Sequence, residues 1–231
     1  MQNHKYLVSV VMSAYNSEKT LGEAIKSILN QSYENIELLI MDDFSSDNTF
    51  KVCKEFSRID KRVKVFQNKE NLGLTKSLNY LIKKAEGKYI ARQDSDDISN
   101  KERIKKQIDF ISKFNLDACS SRAMVMDSNK VTPNLSYYLP LGLALRYKNP
   151  VIHGTLTIKK DIIEKLNFYN EDFKYSQDYE LMIRFYLNKF KFKIIKKPLY
   201  KLNMKNNISS IHKTEQKEYA AKARKHLKIK K

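Results

Sequence analysis

An α/β fold built on a parallel sheet is what this sequence predicts, and three observations predict it. Short apolar, β-branched runs alternate with segments that carry apolar residues at helical spacing. Each run stops abruptly in a cluster of polar residues. Right-handed crossovers place the carboxyl ends of such strands on one edge of the sheet, so these clusters converge where α/β sheets bind ligands.

The first strand is read from Tyr6–Ser13 (YLVSVVMS), which runs into Ala14-Tyr15-Asn16-Ser17. Ser17 has the character of an N-cap for a helix carrying Leu21, Ile25, Ile28 and Leu29 on one face. Ile36–Met41 is a second buried strand, closed by Asp42-Asp43-Phe44-Ser45-Ser46-Asp47-Asn48-Thr49. A helix to about Arg58 follows, then a short strand Val63–Phe66. Asn71–Gly73 opens another helix, with Leu74, Leu78, Leu81 and Ile82 on one face. Tyr89–Arg92 is the fourth strand and leads into Asp94-Ser95-Asp96-Asp97, three carboxylates within four positions.

Side chains alternate along a strand, so Asp94 and Asp96 at its end would point the same way and repel unless a cation lay between them. Oxygen-only ligation with room for phosphates suits Mg²⁺ or Mn²⁺. The same composition also suits a turn capping the helix that begins near Asn100. A capping turn accounts for one polar cluster; four on one edge (13–16, 42–47, 68–73 and 94–97) point to a nucleotide site. With five glycines in the chain and neither a Gly-x-Gly-x-x-Gly nor a Walker loop, dinucleotide and P-loop sites are excluded, and metal and side chains would have to handle the phosphates.

At 231 residues, 42% hydrophobic and 30% charged, the chain is read as one soluble domain, residues 1–212, with a basic helical tail at 213–231. Within the domain, residues 1–100 form the nucleotide half and 101–212 the acceptor half. Cys53 and Cys119 lack metal-ligand spacing and read as reduced thiols. No signal peptide or membrane-spanning run is present, so the expected location is cytoplasmic. The 44 Lys and Arg against 26 Asp and Glu, a formal net charge of +18, favour anionic partners. No helix-turn-helix, zinc or RNA-recognition signature accompanies that charge, so nucleic acid is not expected. Leu181 to Thr214 holds no acidic residue, which with the lysine-rich tail suggests peripheral association with an anionic membrane.

Taken together, VSVVMSAYN (8–16), IELLIMDDFSSDNT (36–49), NLGLTKSLN (71–79), GKYIARQDSDDIS (87–99) and SQDYEL (176–181) resemble the family 2 glycosyltransferases, in the family's own order. The resemblance implies a GT-A fold, a mostly parallel sheet flanked by helices. It implies that Ser13, Tyr15 and Asp43 contact the base and ribose of a nucleotide-sugar donor, a UDP-sugar being expected. It implies that Asp94-Ser95-Asp96 is the family's Asp-x-Asp motif. Asp96 would then ligate Mn²⁺ or Mg²⁺, and Asp94 would reach the ribose or the metal's shell, with Asp97 and Arg92 beside them. Lys76 stands where many relatives carry arginine, offering a point charge to phosphate. Asp178 matches the catalytic base, preceded here by Gln177 where the family often has glutamate. The implied reaction is an inverting transfer of one sugar to a growing, lipid-linked glycan of a bacterial surface. A sugar-1-phosphate nucleotidylyltransferase shares this layout but would want a glycine-rich loop after its first strand, and residues 13–17 lack glycine.

The half from Leu116 to Ile163 is less regular. Asn149–Thr155 also resembles a stretch seen in the family's surface-polysaccharide enzymes, and leaves His153 open between a site-lining residue and a hydrogen-bonded buried histidine. Tyr137 and Tyr138 read as packing residues rather than a sugar platform.

Overall fold

The structure, a computed structural model, describes residues 5–128, 130–205 and 212–228. The end of the predicted tail (229–231) and residues 206–211 of the acid-free stretch lie outside the described residues.

Strand β1 (Val8–Ala14) is central to the first half of the sheet. It pairs in parallel with β2 (Ile36–Asp42) on one side and β4 (Tyr89–Arg92) on the other, and β2 pairs in parallel with β3 (Val63–Gln67). Every residue of β2 and β4 is buried, which is why these strands read as continuous apolar runs. Between them run α1 (Leu21–Leu29), α2 (Thr49–Ile59) and α3 (Leu74–Lys84). The helix expected from Ser17 begins four residues later, after Thr20, because the Ser17 hydroxyl that would cap it is engaged elsewhere, donating to the Tyr15 carbonyl at 3.1 Å and lying 2.9 Å from Ser95 Oγ.

The second half is β5 (Ile98–Ser99), α4 (Arg103–Lys113), β6 (Ala118–Val125), β7 (Val131–Thr132), α5 (Leu141–Ala144), β8 (Thr157–Lys159), α6 (Lys160–Lys165), α7 (Gln177–Leu187), β9 (Phe192–Leu202) and α8 (Lys213–Lys228). Strand order is β3-β2-β1-β4-β8-β6-β9-β5, with β7 on β6. Here directions mix: β8 runs antiparallel to both β4 and β6, whereas β6 and β9 are parallel.

Alternate residues of the inner strands feed two cores. Val8, Val10, Met12, Leu38 and Ile40 pack with α1, α2 and α4, while Val11, Leu39 and Met41 pack with α3, α6 and α7. Tyr219, Ala220, Ala223 and Leu227 of α8 join the second core, so the tail lies against the domain along an apolar stripe. Cys53 and Cys119 are buried and free. Tyr137 is half-buried beside the Arg122 guanidinium, but Tyr138 is 67% exposed and does not pack as the sequence suggested.

Candidate active site

The carboxyl ends of β1, β2 and β4 are stitched together by short hydrogen bonds. The Asp43 N–H donates to the Ala14 carbonyl at 2.9 Å, and Ser17 Oγ lies 2.9 Å from Ser95 Oγ. Ser13 is half-buried and the Tyr15 ring is exposed at this edge. Asp43 is buried and its carboxylate organises the neighbouring loop. Oδ1 accepts from Asn68 Nδ2 (2.7 Å) and the Leu72 N–H (2.9 Å), and Oδ2 accepts from the Gly73 N–H (2.9 Å). Gly73 holds φ +84°, which only glycine adopts without strain, and this lets the chain enter α3 directly. A carboxylate has about four acceptor positions, so Oδ2 keeps one free toward a ligand. Lys76, in the first turn of α3, is exposed to solvent.

Strand β4 ends at Arg92, and Asp94–Asp97 form a turn rather than a strand end. The period-two argument for Asp94 and Asp96 therefore fails, and a buried glutamine sets their geometry instead. Gln93 Nε2 donates to the carbonyls of Asp94 (3.0 Å) and Asp97 (2.9 Å), while its Oε1 accepts from Ser99 Oγ (2.6 Å). Arg92 is 1% exposed, pairs with Asp94 and donates to the Val11 carbonyl at 3.0 Å. Its Nε also donates to His153 Nε2 at 3.4 Å, and Tyr169 Oη lies 2.8 Å from the same nitrogen. Arginine can only donate, so His153 Nε2 is an acceptor and the ring is neutral with its proton on Nδ1. Burial and the Arg92 charge agree, holding the imidazole down to about 3. Of the two roles left open for His153, the structure gives it hydrogen bonds within a half-buried cluster.

The three carboxylates of the turn differ. Asp94 spends one oxygen on Arg92. Asp97, 1% exposed, accepts from the Asn203 N–H at 2.6 Å; burial, then the Asp94 charge, push it up to about 8. Asp96 is partly exposed, enters no salt bridge among the described residues, and is pushed up to about 6 by burial and then by Asp94. No group of three or more His, Cys, Asp or Glu side chains is arranged to hold a metal among the described residues. Asp96, with the second oxygen of Asp94, is the pair whose hard oxygen donors fit Mg²⁺ or Mn²⁺.

Asp178 stands in the first turn of α7, after the buried Gln177. Burial raises its carboxyl above the usual range, and the Asp94 charge adds to the rise, so the two carboxylates share one electrostatic space. Asn149 Nδ2 donates to Asp178 Oδ2 at 2.8 Å, and Asn149 Oδ1 is occupied by the Val151 N–H at 3.1 Å. The amide therefore cannot flip, and the backbone N–H groups of Asp178 and Tyr179 also act on the carboxylate. Ser176, at the left-handed φ of 55° ahead of α7, donates to the Gln216 carbonyl and lies 2.9 Å from Gln216 Oε1.

The structure thus brings together Arg92, Asp94, Asp96, Asp97 and His153, places Asp178 where the Asp94 charge acts on it, and sets Ser13, Tyr15 and Asp43 on the adjoining edge, with the exposed Lys76 one turn into the helix that follows the Asp43-bound loop. Sequence reasoning missed Asn149, Tyr169, Tyr200 and Gln216. Asn149 opens a stretch the sequence singled out, but Tyr169 and Tyr200 give no local signal. Tyr200 Oη accepts from the Asp94 N–H at 3.1 Å.

The model of the family described as Glycosyl transferase family 2 matches residues 9–190, a span that contains every candidate residue. The chain belongs to glycosyl transferase family 2. Among its family 2 relatives are the putative glycosyltransferase EpsE of Bacillus subtilis, 35% identical over 84% of this chain and 72% of its own length. Another is the UDP-Glc:alpha-D-GlcNAc-diphosphoundecaprenol beta-1,3-glucosyltransferase WfgD of Escherichia coli, 36% identical over 77% of this chain and 69% of its own. S. aureus TarS 1-349 in complex with UDP-GlcNAc superposes with a TM-score of 0.75 at 24% identity, over 87% of this chain and 59% of that one. That likeness shows the GT-A fold. The chain spans about 60% of the length of TarS 1-349, and 58% of a Haemophilus influenzae relative. The match ends within the turn before β9, so α8 lies beyond the family 2 region.

Proposed function

We propose that this chain is an inverting glycosyltransferase that moves one sugar from a nucleotide donor, a UDP-sugar, to a hydroxyl of a lipid-linked surface glycan. The observation that carries the reading is the position of Asp178. It is a single carboxylate of raised proton affinity at the start of α7, fixed by Asn149, and the Asp94 charge contributes to the rise. The printed substrates of WfgD and the ligand of the TarS complex support UDP as the nucleotide and an undecaprenyl-linked saccharide as the acceptor class. No described helix is long and apolar enough to cross a membrane.

On this reading the exposed Tyr15 ring stacks on the base, the free Oδ2 position of Asp43 accepts from its ring N–H, and Ser13 lies beside the ribose. Lys76 offers a point charge to the diphosphate. Asp96 and Asp94 would hold Mn²⁺ or Mg²⁺; a mannosyltransferase from Pyrobaculum calidifontis with a TM-score of 0.66 is in complex with Mn²⁺. Such an ion supplies charge neutralisation to the departing diphosphate. Asp178 takes the proton of the acceptor hydroxyl as the hydroxyl oxygen bonds to the anomeric carbon and the bond to the diphosphate breaks. One displacement inverts that centre. Burial makes the ionised Asp178 a stronger base than a solvated aspartate, which serves this step.

Titration of UDP, GDP, CMP and ATP with and without Mn²⁺ tests the reading. UDP should bind best and only with metal, and Asp96→Ala should abolish this metal-dependent binding. Preference for GDP would change the donor class. No nucleotide binding by the wild-type chain would overturn the assignment.

A further inference from the structure

Large apolar side chains stand in solvent along one segment, between β7 and the Asn149 turn. Leu135 is 79% exposed, Tyr138 67%, Leu139 41%, Leu143 39% and Tyr147 70%. Tyr186 of α7, 43% exposed, extends the same surface, since a Cβ on Gly142 would collide with its ring. A cleft of about 370 Å³ lined by Tyr137, Leu139, Leu141, Pro150 and Phe192 continues the apolar area inward. Exposed apolar residues are unremarkable singly, but a contiguous set marks an interaction surface.

The stretches that carry this surface are basic. From Ser128 to Lys160 the chain has no acidic residue, and from Leu181 to Thr214 it again has none. These are the stretches that carry the patch. Exposed Arg146, Lys148, Lys189 and Lys191 lie on them. Exposed leucine and tyrosine side chains on stretches that carry Lys and Arg but no Asp or Glu are what the headgroup region of an anionic bilayer accommodates. A second copy of this chain would bring the same cations face to face.

The segment is also fastened to the catalytic helix. Ala144 and Leu145 point inward and are buried, the Tyr179 hydroxyl donates to the Leu145 carbonyl, and Asn149 reaches Asp178. Resting on the proposed lipid-linked acceptor, we infer that residues 135–147 with Tyr186 form a membrane-docking face. It inserts Leu135, Tyr138, Leu139 and Leu143 at the surface of an anionic bilayer and so holds the Asp178 side of the site over it. The lysine-rich tail borders this face, Arg224 donating to the Tyr147 carbonyl at 3.2 Å, but its apolar stripe is turned into the core.

Co-sedimentation of the full chain with phosphatidylcholine vesicles, with and without phosphatidylglycerol, tests this face. The wild type should pellet with the anionic vesicles, and Leu135→Ser/Leu139→Ser/Leu143→Ser should bind them at least tenfold more weakly while UDP binding is unchanged. These positions are exposed, and unchanged UDP binding shows that the variant is folded. Because the chain has no tryptophan, Leu135→Trp is a clean reporter. Its emission should shift to the blue on adding anionic vesicles, and that of Ile59→Trp, at an 82% exposed site on α2, should not. Equal pelleting of the wild type and the triple variant would overturn the inference. So would a wild-type dimer that the triple variant abolishes, which would assign the face to a second copy. Intact UDP binding without vesicle binding refutes this face alone. Vesicle binding without nucleotide binding refutes the transferase reading instead.

Discussion

Removing the amide of Asn149 should move the pH dependence of transfer without moving donor binding. Asp178 must be ionised to accept a proton, and burial raises its proton affinity, so ionisation is the step that the acid limb of kcat/KM reports. Asn149 Nδ2 opposes that rise by donating to the ionised Oδ2 at 2.8 Å. A hydrogen bond to a charged group is worth about 1.5–3 kcal/mol, which changes the ionisation equilibrium by roughly 10- to 100-fold. In Asn149→Ala the carboxyl holds its proton to higher pH. Below the limb kcat/KM should fall by roughly 10- to 100-fold, and it should recover toward the wild-type plateau as pH rises. Asn149→Asp sets a second carboxylate there and should push the limb further the same way. The assay is nucleotide release from the donor between about pH 5 and 9, the span that holds both limbs of such a profile, with UDP affinity as control. A uniform loss at every pH, or an unmoved limb, would refute the argument and reduce Asn149 to a structural residue.

Two further outcomes follow from buried groups. His153 is held neutral in the folded state, down to about 3, whereas an unfolded histidine protonates near 6.5. Its contribution to stability is therefore complete above about 6.5 and is lost as pH falls toward 3, because the unfolded chain then binds the extra proton. His153→Gln keeps an acceptor for Arg92, and thermal unfolding of this variant should show a flatter decline in Tm across that window. An unchanged decline would mean that other groups set it. At Gly87 an added Cβ would lie 2.6 Å from the Ser9 backbone nitrogen and 2.8 Å from the Leu7 carbonyl, atoms that cannot yield without shifting the backbone. Gly87→Ala should cost about 1–3 kcal/mol, which is roughly 2–12 °C in Tm for a chain of this size, with UDP affinity retained where the protein is folded. A Tm equal to wild type would show that the backbone there gives way easily.

The first four strands were legible to within a residue or two: the sheet buries both faces of β1, β2 and β4, which carry their signal in the run itself, and the edge strand β3 is marked by its β-branched Val63 and Val65. The second half was not. Strand β6 contains the buried Ser120, Ser121 and part-buried Arg122, and β9 carries lysines and Pro198, where its register against β6 shifts. Strand β8 has three residues, too few for a period. The acidic turn was legible by composition, but its geometry was not: Gln93 and Tyr200 decide it, and Tyr200 is more than a hundred positions away. The partner of Asp97 is a backbone N–H at Asn203, and no side-chain pattern announces a backbone donor.

The tail shows how composition can mislead about position. Lysines dominate α8, and a lysine-rich helix at a terminus reads as a solvent- or membrane-facing segment. Yet Tyr219, Ala220, Ala223 and Leu227 fall at helical spacing and pack on the core that includes Tyr179, while Gln216 holds Ser176 at the entry of α7. Ser176 adopts φ 55°, a conformation that a non-glycine residue keeps only when its surroundings enforce it. The hydroxyl contacts to Gln216 are part of that enforcement, and Asp178 is two residues further on. An element outside the family 2 match thus supports the start of the helix that carries the base. Lys213, Lys217, Lys222 and Lys225 face outward because its apolar residues are committed inward. For that reason the proposed contact with a bilayer is assigned to the Leu- and Tyr-rich segment at 135–147, whose apolar side chains are exposed.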